Sequence, residues 1–358
     1  MRACSTIVAC VAAVLSIGSA TAVSPQFAQS DRPRPWSFPR DHASHLEFAT
    51  EWWYFTGRLS DPDGDRFGFE LTFFRVALRS EQIVSSSSWR TRDLIIAHAT
   101  LSDLSARNFH HSEKVQRAAT GLAGAETERF HVWADSWSAE QVDDGLSLRA
   151  NAEDFDLTLE LDPVGEAVLH GNGGLSLKCA DGTQASYYYS VPRIATQGQL
   201  RVKGKECAVT GSTWMDHEFF TGPTPGDGLG WNWFSVNLDD GRDIMLYAVR
   251  HPDGEVFPFG TLNSNGTSRP LDMEDASFVP VRLWTSPTTG SSYPVSWRIV
   301  LPREKIEFSV EAELDAQEIV ADASVGFAYW EGYCSFRGLI QAQTVTGEGY
   351  VELTGYDR

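Results

Sequence analysis

Several things are scarce in this chain. Its 358 residues carry 29 Lys and Arg against 48 Asp and Glu, a formal net charge of −19. It therefore lacks the basic face with which a nucleic-acid binder neutralises phosphates, or with which a protein attaches to an anionic membrane. Five cysteines are too few for a disulfide framework in a chain of this length, and their spacing fits no zinc pattern. There is no G-x-S-x-G nucleophile elbow, phosphate-binding loop or dinucleotide fingerprint. Asp61, Asp63 and Asp65 open like a calcium loop, but Arg66 stands where glycine is required and Thr72 where the closing glutamate belongs. His42 and His45 form H-x-x-H in an irregular stretch without a third ligand, so packing or hydrogen bonding is the default reading. Neither a metal nor a cofactor is expected.

Long apolar runs are confined to the N-terminus. Arg2 supplies a positive start, Ile7 to Ile17 is apolar but too short to span a bilayer, and Ala20-Thr21-Ala22 fits a small-x-small cleavage site. Residues 1–22 read as a signal peptide cleaved after Ala22, which implies a periplasmic or secreted protein with no transmembrane segment in the mature chain. Cys179, Cys207 and Cys334 remain after cleavage. In an oxidising compartment one bridge can form, with Cys179 and Cys207 the expected pair; Cys334 reads as a small apolar core residue.

What is abundant is alternation. Residues 23–46 are rich in Pro and Arg and read as an extended leader. Beyond them, Phe155, Leu157, Leu159 and Leu161 alternate with polar residues, as do Ile306, Phe308, Val310, Ala312 and Leu314, and Phe67, Phe69, Leu71 and Phe73. Each pattern describes a strand with one buried face. Turn signals such as Asp240-Gly241 and Asn265-Gly266 separate them. Only residues 113–128 look helical. Many strands, short turns and no βαβ rhythm predict an all-β protein of sandwiches or closed barrels. Trp52-Trp53-Tyr54-Phe55-Thr56-Gly57-Arg58-Leu59 also echoes Trp231-Asn232-Trp233-Phe234-Ser235-Val236-Asn237-Leu238. The echo points to two β domains of similar build, joined between Gly211 and Gly230.

The segment Ser212-Thr213-Trp214-Met215-Asp216-His217-Glu218-Phe219-Phe220 concentrates titratable groups among bulky apolar ones. If it is extended, Trp214, Asp216 and Glu218 share one face, while Met215, His217 and Phe219 share the other. A carboxyl in such surroundings has its pKa raised by desolvation and makes a general acid. Alternatively, Asp216 or His217 ties two domains together by hydrogen bonds. Tyr187-Tyr188-Tyr189 and Tyr329-Trp330-Glu331-Gly332-Tyr333 are further aromatic clusters. With 12 Trp, 20 Phe and 10 Tyr in the chain, an aromatic-lined cavity for an apolar, planar or cationic guest is expected.

Taken together, these segments resemble the family of AttH-like proteins and carotenoid 1,2-hydratases. The marks are His45, Glu51-Trp52-Trp53-Tyr54-Phe55-Thr56-Gly57, Tyr187-Tyr188-Tyr189-Ser190, Trp214-Met215-Asp216-His217-Glu218, Gly230-Trp231-Asn232-Trp233-Phe234, Tyr329-Trp330-Glu331-Gly332 and Gly347 to Tyr356. The resemblance implies two tandem lipocalin-like antiparallel β-barrel domains, at residues 45–218 and 219–358 after a leader at 23–44, with a ligand cavity at or near their contact. It also implies that Asp216 protonates an alkene with Trp214 and Tyr189 as aromatic partners; in an enzyme working this way, His217 or Glu218 is expected to orient Asp216 or the water. Trp231, Trp233, Tyr247, Trp330 and Tyr333 are expected to line the same cavity. The departure is Trp214, where the hydratase branch carries tyrosine. An indole stabilises a cation through its face but has no hydroxyl with which to relay a proton, so a carotenoid itself is a poor fit. Two readings follow. One is an exported, cofactor-independent enzyme that uses acid catalysis (hydration, isomerisation or cyclisation) on an apolar terpenoid, polyene or lipid-like molecule. The other is a non-catalytic carrier of an apolar ligand in the cell envelope.

Overall fold

The computed structural model describes residues 26–80, 87–163, 166–223 and 228–356; the expected signal peptide, residues 1–22, lies outside them. Thirteen strands form the first sheet: β1 (Thr50–Ser60), β2 (Arg66–Ala77), β3 (Asp93–Asp103), β4 (Asn108–Arg117), β5 (Ala123–Ala125), β6 (His131–Ala134), β7 (Trp137–Val142), β8 (Gly145–Asn151), β9 (Phe155–Pro163), β10 (Val168–Leu169), β11 (Leu175–Leu177), β12 (Ala185–Val202) and β13 (Lys205–Phe220). Ten form the second: β14 (Gly230–Leu238), β15 (Asp243–Arg250), β16 (Val256–Ser264), β17 (Thr267–Pro270), β18 (Ser277–Thr285), β19 (Ser292–Leu301), β20 (Ile306–Ala312), β21 (Glu318–Ala321), β22 (Phe327–Ile340) and β23 (Gln343–Leu353). All pairings between these strands are antiparallel. Among the described residues the helices are two 3-10 turns, Arg40–His42 and Pro302–Glu304, and no helix is long and apolar enough to cross a membrane.

The expected all-β fold of two tandem antiparallel barrels is what the chain adopts. The first sheet runs β4-β3-β2-β1-β13-β12-β9-β8-β7-β6-β5, and the second runs β17-β16-β15-β14-β23-β22-β20-β19-β18. The two echoing segments thus hold equivalent places: β1 lies between the next hairpin strand and the last strand of its sheet, and so does β14. In the first sheet the ends come together, with Lys114 of β4 reaching Asp135 just beyond β6 at 2.7 Å. Turn chemistry follows the sequence: Asn265 and Gly266 both take positive φ in the two-residue hairpin between β16 and β17.

Two expectations fail. Residues 113–128 are not helical: Glu113 to Arg117 continue β4, paired along β3, and Ala123–Ala125 is β5. The open edge of β3 offers this segment a ladder of hydrogen bonds, which outweighs a modest helical preference. Cys179 and Cys207 are both unpaired; Cys179 Sγ lies 2.9 Å from Asp181 Oδ1, and Cys207 faces the Leu200 carbonyl. Cys334 is buried in the second core, as read from the sequence.

The inward residues of each barrel fill it. Trp53, Phe55, Phe69, Leu71, Phe73, Leu157 and Leu159 belong to the first core, and Phe234, Ile244, Phe308, Trp330 and Val351 to the second. The outward faces of β1, β2 and β13 in the first sheet and of β14, β15, β22 and β23 in the second are also buried, because the barrels pack there on each other. The seam is cross-linked. His98 Nδ1 meets the Tyr329 hydroxyl at 2.6 Å, Ser102 Oγ donates to Gln317 at 2.6 Å, and Arg193 Nε donates to Asp243 at 2.7 Å.

The leader is a strap across the first barrel. Trp36 Nε1 donates to the Gly173 carbonyl at 2.8 Å, and Tyr187 donates to the Arg32 carbonyl at 2.7 Å. Its last turn is fastened by Glu51, which is fully buried. Arg75 Nε (2.9 Å), Ser44 Oγ (2.7 Å), His45 Nδ1 (3.0 Å) and His217 Nε2 (3.0 Å) all reach its carboxylate. Burial opposes ionisation of Glu51, but the His217 and His45 hydrogen bonds and the Arg75 charge overcome it and hold its pKa well below the usual range. Arg75, 1% exposed, also binds Asp93 at 3.0 Å and the His45 and Phe48 carbonyls. Removing one partner of such a pair strands a buried charge. Arg75→Ala should cost about 3–5 kcal/mol of stability in urea unfolding; a loss under about 1 kcal/mol, the size of a surface pair, would show that the strap is fastened elsewhere.

Candidate functional site

β13 is extended throughout, so its side chains alternate. In register, Asp216 lies opposite Ser190 of β12 and Tyr54 of β1, and Trp214 lies opposite Thr56. Trp214, Asp216 and Glu218 face the seam between the barrels, while His217 faces into the first barrel. Asp216, 4% exposed, accepts hydrogen bonds from the Tyr188 hydroxyl at 2.6 Å, from Trp214 Nε1 at 2.6 Å and from the Ser190 hydroxyl. Trp233 Nε1 donates to the Tyr188 oxygen at 2.9 Å, and the Trp233 ring stands edge-on to both Trp214 and Tyr54. Ser190 also meets His170 Nε2 at 2.6 Å, and His170 Nδ1 meets Thr261 Oγ1 at 2.9 Å. Burial keeps the His170 ring neutral by pushing its pKa well down.

Desolvation pushes the pKa of Asp216 up to about 7; the hydrogen bonds from Ser190, Tyr188 and Trp214 pull it down, and the nearby charge of Glu218 pushes it up. Glu218 is itself paired with Lys178 Nζ at 2.8 Å, and that ammonium lies over the rings of Tyr188 and Tyr247.

A second set of acids lies in the same seam. Glu331 of β22 and Glu352 of β23 are cross-strand partners, and Glu70 of β2 interacts with both. Tyr54 donates to Glu331, and Trp231 Nε1 donates to Glu352 at 2.9 Å. Burial raises Glu70 and Glu331 well above the ordinary carboxyl range and brings Glu352 to about 7; the charge of Glu352 adds to the shift of Glu70, those of Glu70 and Glu352 to that of Glu331, and those of Asp216 and Glu218 to that of Glu352.

The residues singled out from sequence divide accordingly. Asp216, Trp214, Glu218, Trp233, Trp231 and Tyr247 all line the seam. Tyr247 binds Ser176 Oγ and the Leu177 carbonyl at its edge. Tyr333 is there too, against Tyr350 near the Arg58–Glu348 pair. Three do not belong. His217 points away from Asp216, so it cannot orient it; it binds Glu51 and meets the Tyr189 hydroxyl at 2.9 Å. Tyr189 follows His217 to the inner face, and Tyr188 and Ser190 take the place assigned to it, because β12 and β13 pair even residue to even residue. Trp330 is in the second core, donating to the Asp315 carbonyl. Sequence reasoning missed Tyr188, Ser190, His170, Glu70, Glu331 and Glu352. Part of the signal that flagged Asp216, an acid set among bulky apolar and aromatic residues in a strand, was available for Glu331 and Glu352 as well.

His45, Glu51 and His217 offer ligand atoms all within 4.8 Å of one another, close enough for a metal trio. The chemistry of the set argues otherwise. A guanidinium already sits 2.9 Å from the same carboxylate, and a metal cation there would meet its charge directly. His42, for its part, turns to Tyr189 at 2.6 Å. Two surface depressions are evident. One, of about 330 Å³, is lined by Trp89, Leu94, Val115 and neighbours; the other, of about 470 Å³, is lined by Gln184, Gly222, Pro223, Leu229, His251 and Pro252. Neither is lined by Asp216, but Leu229 belongs to the aromatic cluster of the seam.

The raised pKa of Asp216 has a thermodynamic consequence. Between about pH 4 and about pH 7 the folded protein holds a proton there that the unfolded chain releases, so this contribution is complete at low pH and is lost as pH rises through 7. In Asp216→Asn the Tyr188 hydroxyl can turn to accept from the amide, and no proton is involved. The stability difference between the two proteins should therefore shift by about 1.4 kcal/mol per pH unit in favour of the variant as pH rises across that window. A difference independent of pH would show that Asp216 titrates normally.

Comparison with known proteins gives a consistent picture. The profile of AttH-like proteins matches residues 29–356. The crystal structure of a Nitrosomonas europaea protein assigned to AttH is 35% identical, with a TM-score of 0.83, covering 93% of this chain and 100% of that one. Kievitone hydratase from Nectria haematococca shares the fold at 16% identity and a TM-score of 0.72, covering 92% of this chain and 98% of that one. The dehydratase asqC of Emericella nidulans is 22% identical over 212 residues, 56% of this chain; the match spans only 57% of that relative's length.

Proposed function

The chain belongs to the AttH-like family, and from that premise we propose that it is an exported, cofactor-independent enzyme of the hydratase–dehydratase type, acting on an apolar, unsaturated small molecule such as a terpenoid, polyene or lipid-like compound. The observation that carries the reading is Asp216, a carboxyl with a pKa of about 7 held by Tyr188, Ser190 and Trp214 in an aromatic seam. Names among the relatives, one a hydratase and one a dehydratase, support the same class of reaction.

In the forward direction the Asp216 carboxyl gives its proton to one alkene carbon. The π electrons form the new C–H bond, and the adjacent carbon becomes cationic. The faces of Trp214 and Trp233 stabilise that charge. Water adds to the cation and loses a proton, which returns to the Asp216 carboxylate. Run backwards, the same steps remove water. Loss of a proton from a different carbon gives an isomer, and attack by a second double bond gives a ring. Tyr188, Trp214 and Ser190 hold the carboxylate between the two proton transfers, and a pKa near the working pH suits an acid that must be reloaded each cycle.

Asp216→Asn should abolish turnover while preserving the fold, followed by mass spectrometry of co-purified or supplied alkenes in water enriched in heavy oxygen. The rate should be flat below about pH 6 and fall about tenfold per unit above about pH 7 as Asp216 loses its proton. Unchanged turnover in the variant would remove Asp216 from the chemistry. The three donors that fully satisfy Asp216 favour a second reading, a carrier whose ligand is anchored there. In that case the ligand recovered from the protein is unaltered and no labelled oxygen enters it.

A further inference from the structure

Glu70 occupies the middle of β2 on its seam face. It is 0% exposed, and its carboxyl has a single partner of poor geometry, the Thr72 hydroxyl. Its cross-strand neighbours are Thr56 on β1 and Thr100 on β3, and Thr72 lies two residues on, on the same face. All three hydroxyls are buried; those of Thr56 and Thr100 are unpartnered, and that of Thr72 has only Glu70. From the opposite barrel comes Tyr350, 2% exposed, with an unpartnered hydroxyl so close over Gly68 that a Cβ built there would meet it at 2.5 Å. Five buried polar side chains that share one poor hydrogen bond between them are thus gathered in one patch. Native proteins rarely leave such groups unmet, and a concentration of them marks a place where a polar partner binds.

The surroundings specify the partner. The carboxyls facing Glu70 are Glu331 and Glu352 from the second barrel, with Asp216 adjoining on β13. The titratable hydroxyls around these acids are Tyr54, Tyr329 and Tyr350. Among the described residues no Lys or Arg forms an ion pair with Glu70, Glu331 or Glu352; Lys178 is engaged by Glu218, and Arg58 by Glu348. Glu70 is acceptor-only once ionised, and the hydroxyl oxygens around it can accept too, so the patch suits a guest rich in N–H donors. The rings of Tyr54, Tyr350 and Trp231 line the same seam, and ring faces attract a cation.

We propose that the seam takes a ligand bearing a protonated amine, its ammonium group seated on Glu70, Thr56, Thr72 and Thr100 and its apolar body lying among the aromatic rings towards Asp216. The inference rests on the reading of the seam as a ligand site and adds the polar end of the molecule that the site receives. A neutral hydroxyl would donate to one oxygen and accept from another group, and would leave Glu70 protonated. An ammonium meets three and allows one acid to ionise beside it, so its binding expels a proton.

The test uses the full chain at pH 7 and two probes of one shape, phenethylamine, which is cationic, and 2-phenylethanol, which is neutral. Calorimetry in two buffers of different ionisation enthalpy reads affinity and proton release together. Phenethylamine should bind about tenfold or more tightly than the alcohol and release a substantial fraction of one proton. Glu70→Gln, which imitates the protonated carboxyl and should fold, should lose that preference and the proton release while binding the alcohol as before. Equal affinities, no binding of either probe, amine binding without proton release, or a Glu70→Gln protein that binds the amine unchanged would each overturn the proposal. Binding is read without turnover, so the two readings fail separately. An active Asp216→Asn protein removes the acid mechanism and leaves the ammonium site standing; equal binding of the probes does the reverse.

Discussion

A carboxyl group shut between two protein faces must find a proton, a cation or several donors, because charge without water is costly. That constraint organises the seam between the barrels. Glu218 has a lysine. Asp216 has three donors and is left balanced between its two protonation states. Glu331 has a tyrosine hydroxyl, and Glu70 has little help of any kind. The acids that the fold supports least are also the ones that burial, and after it the neighbouring carboxylates, discourage from ionising. Every chemical possibility of the seam, from proton donation to cation binding, starts from that imbalance.

The period of a strand separates two jobs that sit side by side in the sequence. Asp216 and His217 are consecutive, yet they face opposite sides of β13. His217 joins Glu51, His45 and Arg75 in a network that is charged, saturated and fastened to the leader strap. Asp216 enters a layer where charge is discouraged. The same problem, burying an acid, is solved on one face with a guanidinium and on the other with neutral donors. One solution yields rigidity and the other a group able to change state.

Much of this was legible from residues alone. Alternation in Phe155 to Leu161 or Ile306 to Leu314 announced strands. The aromatic echo announced two similar halves, and β1 and β14 do occupy matching places. Parity along β13 correctly set Asp216 with Trp214 and apart from His217. What could not be read was register between strands distant in sequence. Choosing Tyr189 rather than Tyr188 as the partner of Asp216 is a one-residue error that moves a side chain to the other face, and β12 adds an irregularity at Val191–Ile194 that no periodicity reveals. The false helix at 113–128 has a related cause: an edge ladder belongs to the neighbouring strand, not to the segment itself. Glu331 and Glu352 meet within one hairpin of the second barrel, but Glu70 is far from them in the chain and joins them only because two barrels dock.

Gly68 acts through the methyl it lacks. With Tyr350 and Tyr333 pressed against its backbone, it works as a gauge block between the two halves, setting how thin the gap can be. A single carbon at that point is a shim: it would meet the Tyr350 hydroxyl and the Tyr333 Cβ, so that one of them or the gap itself must give way, while Glu70 and the threonines around it stay as they are. The capacity of the gap and its chemistry are therefore written at different positions, and one can be changed while the other is kept.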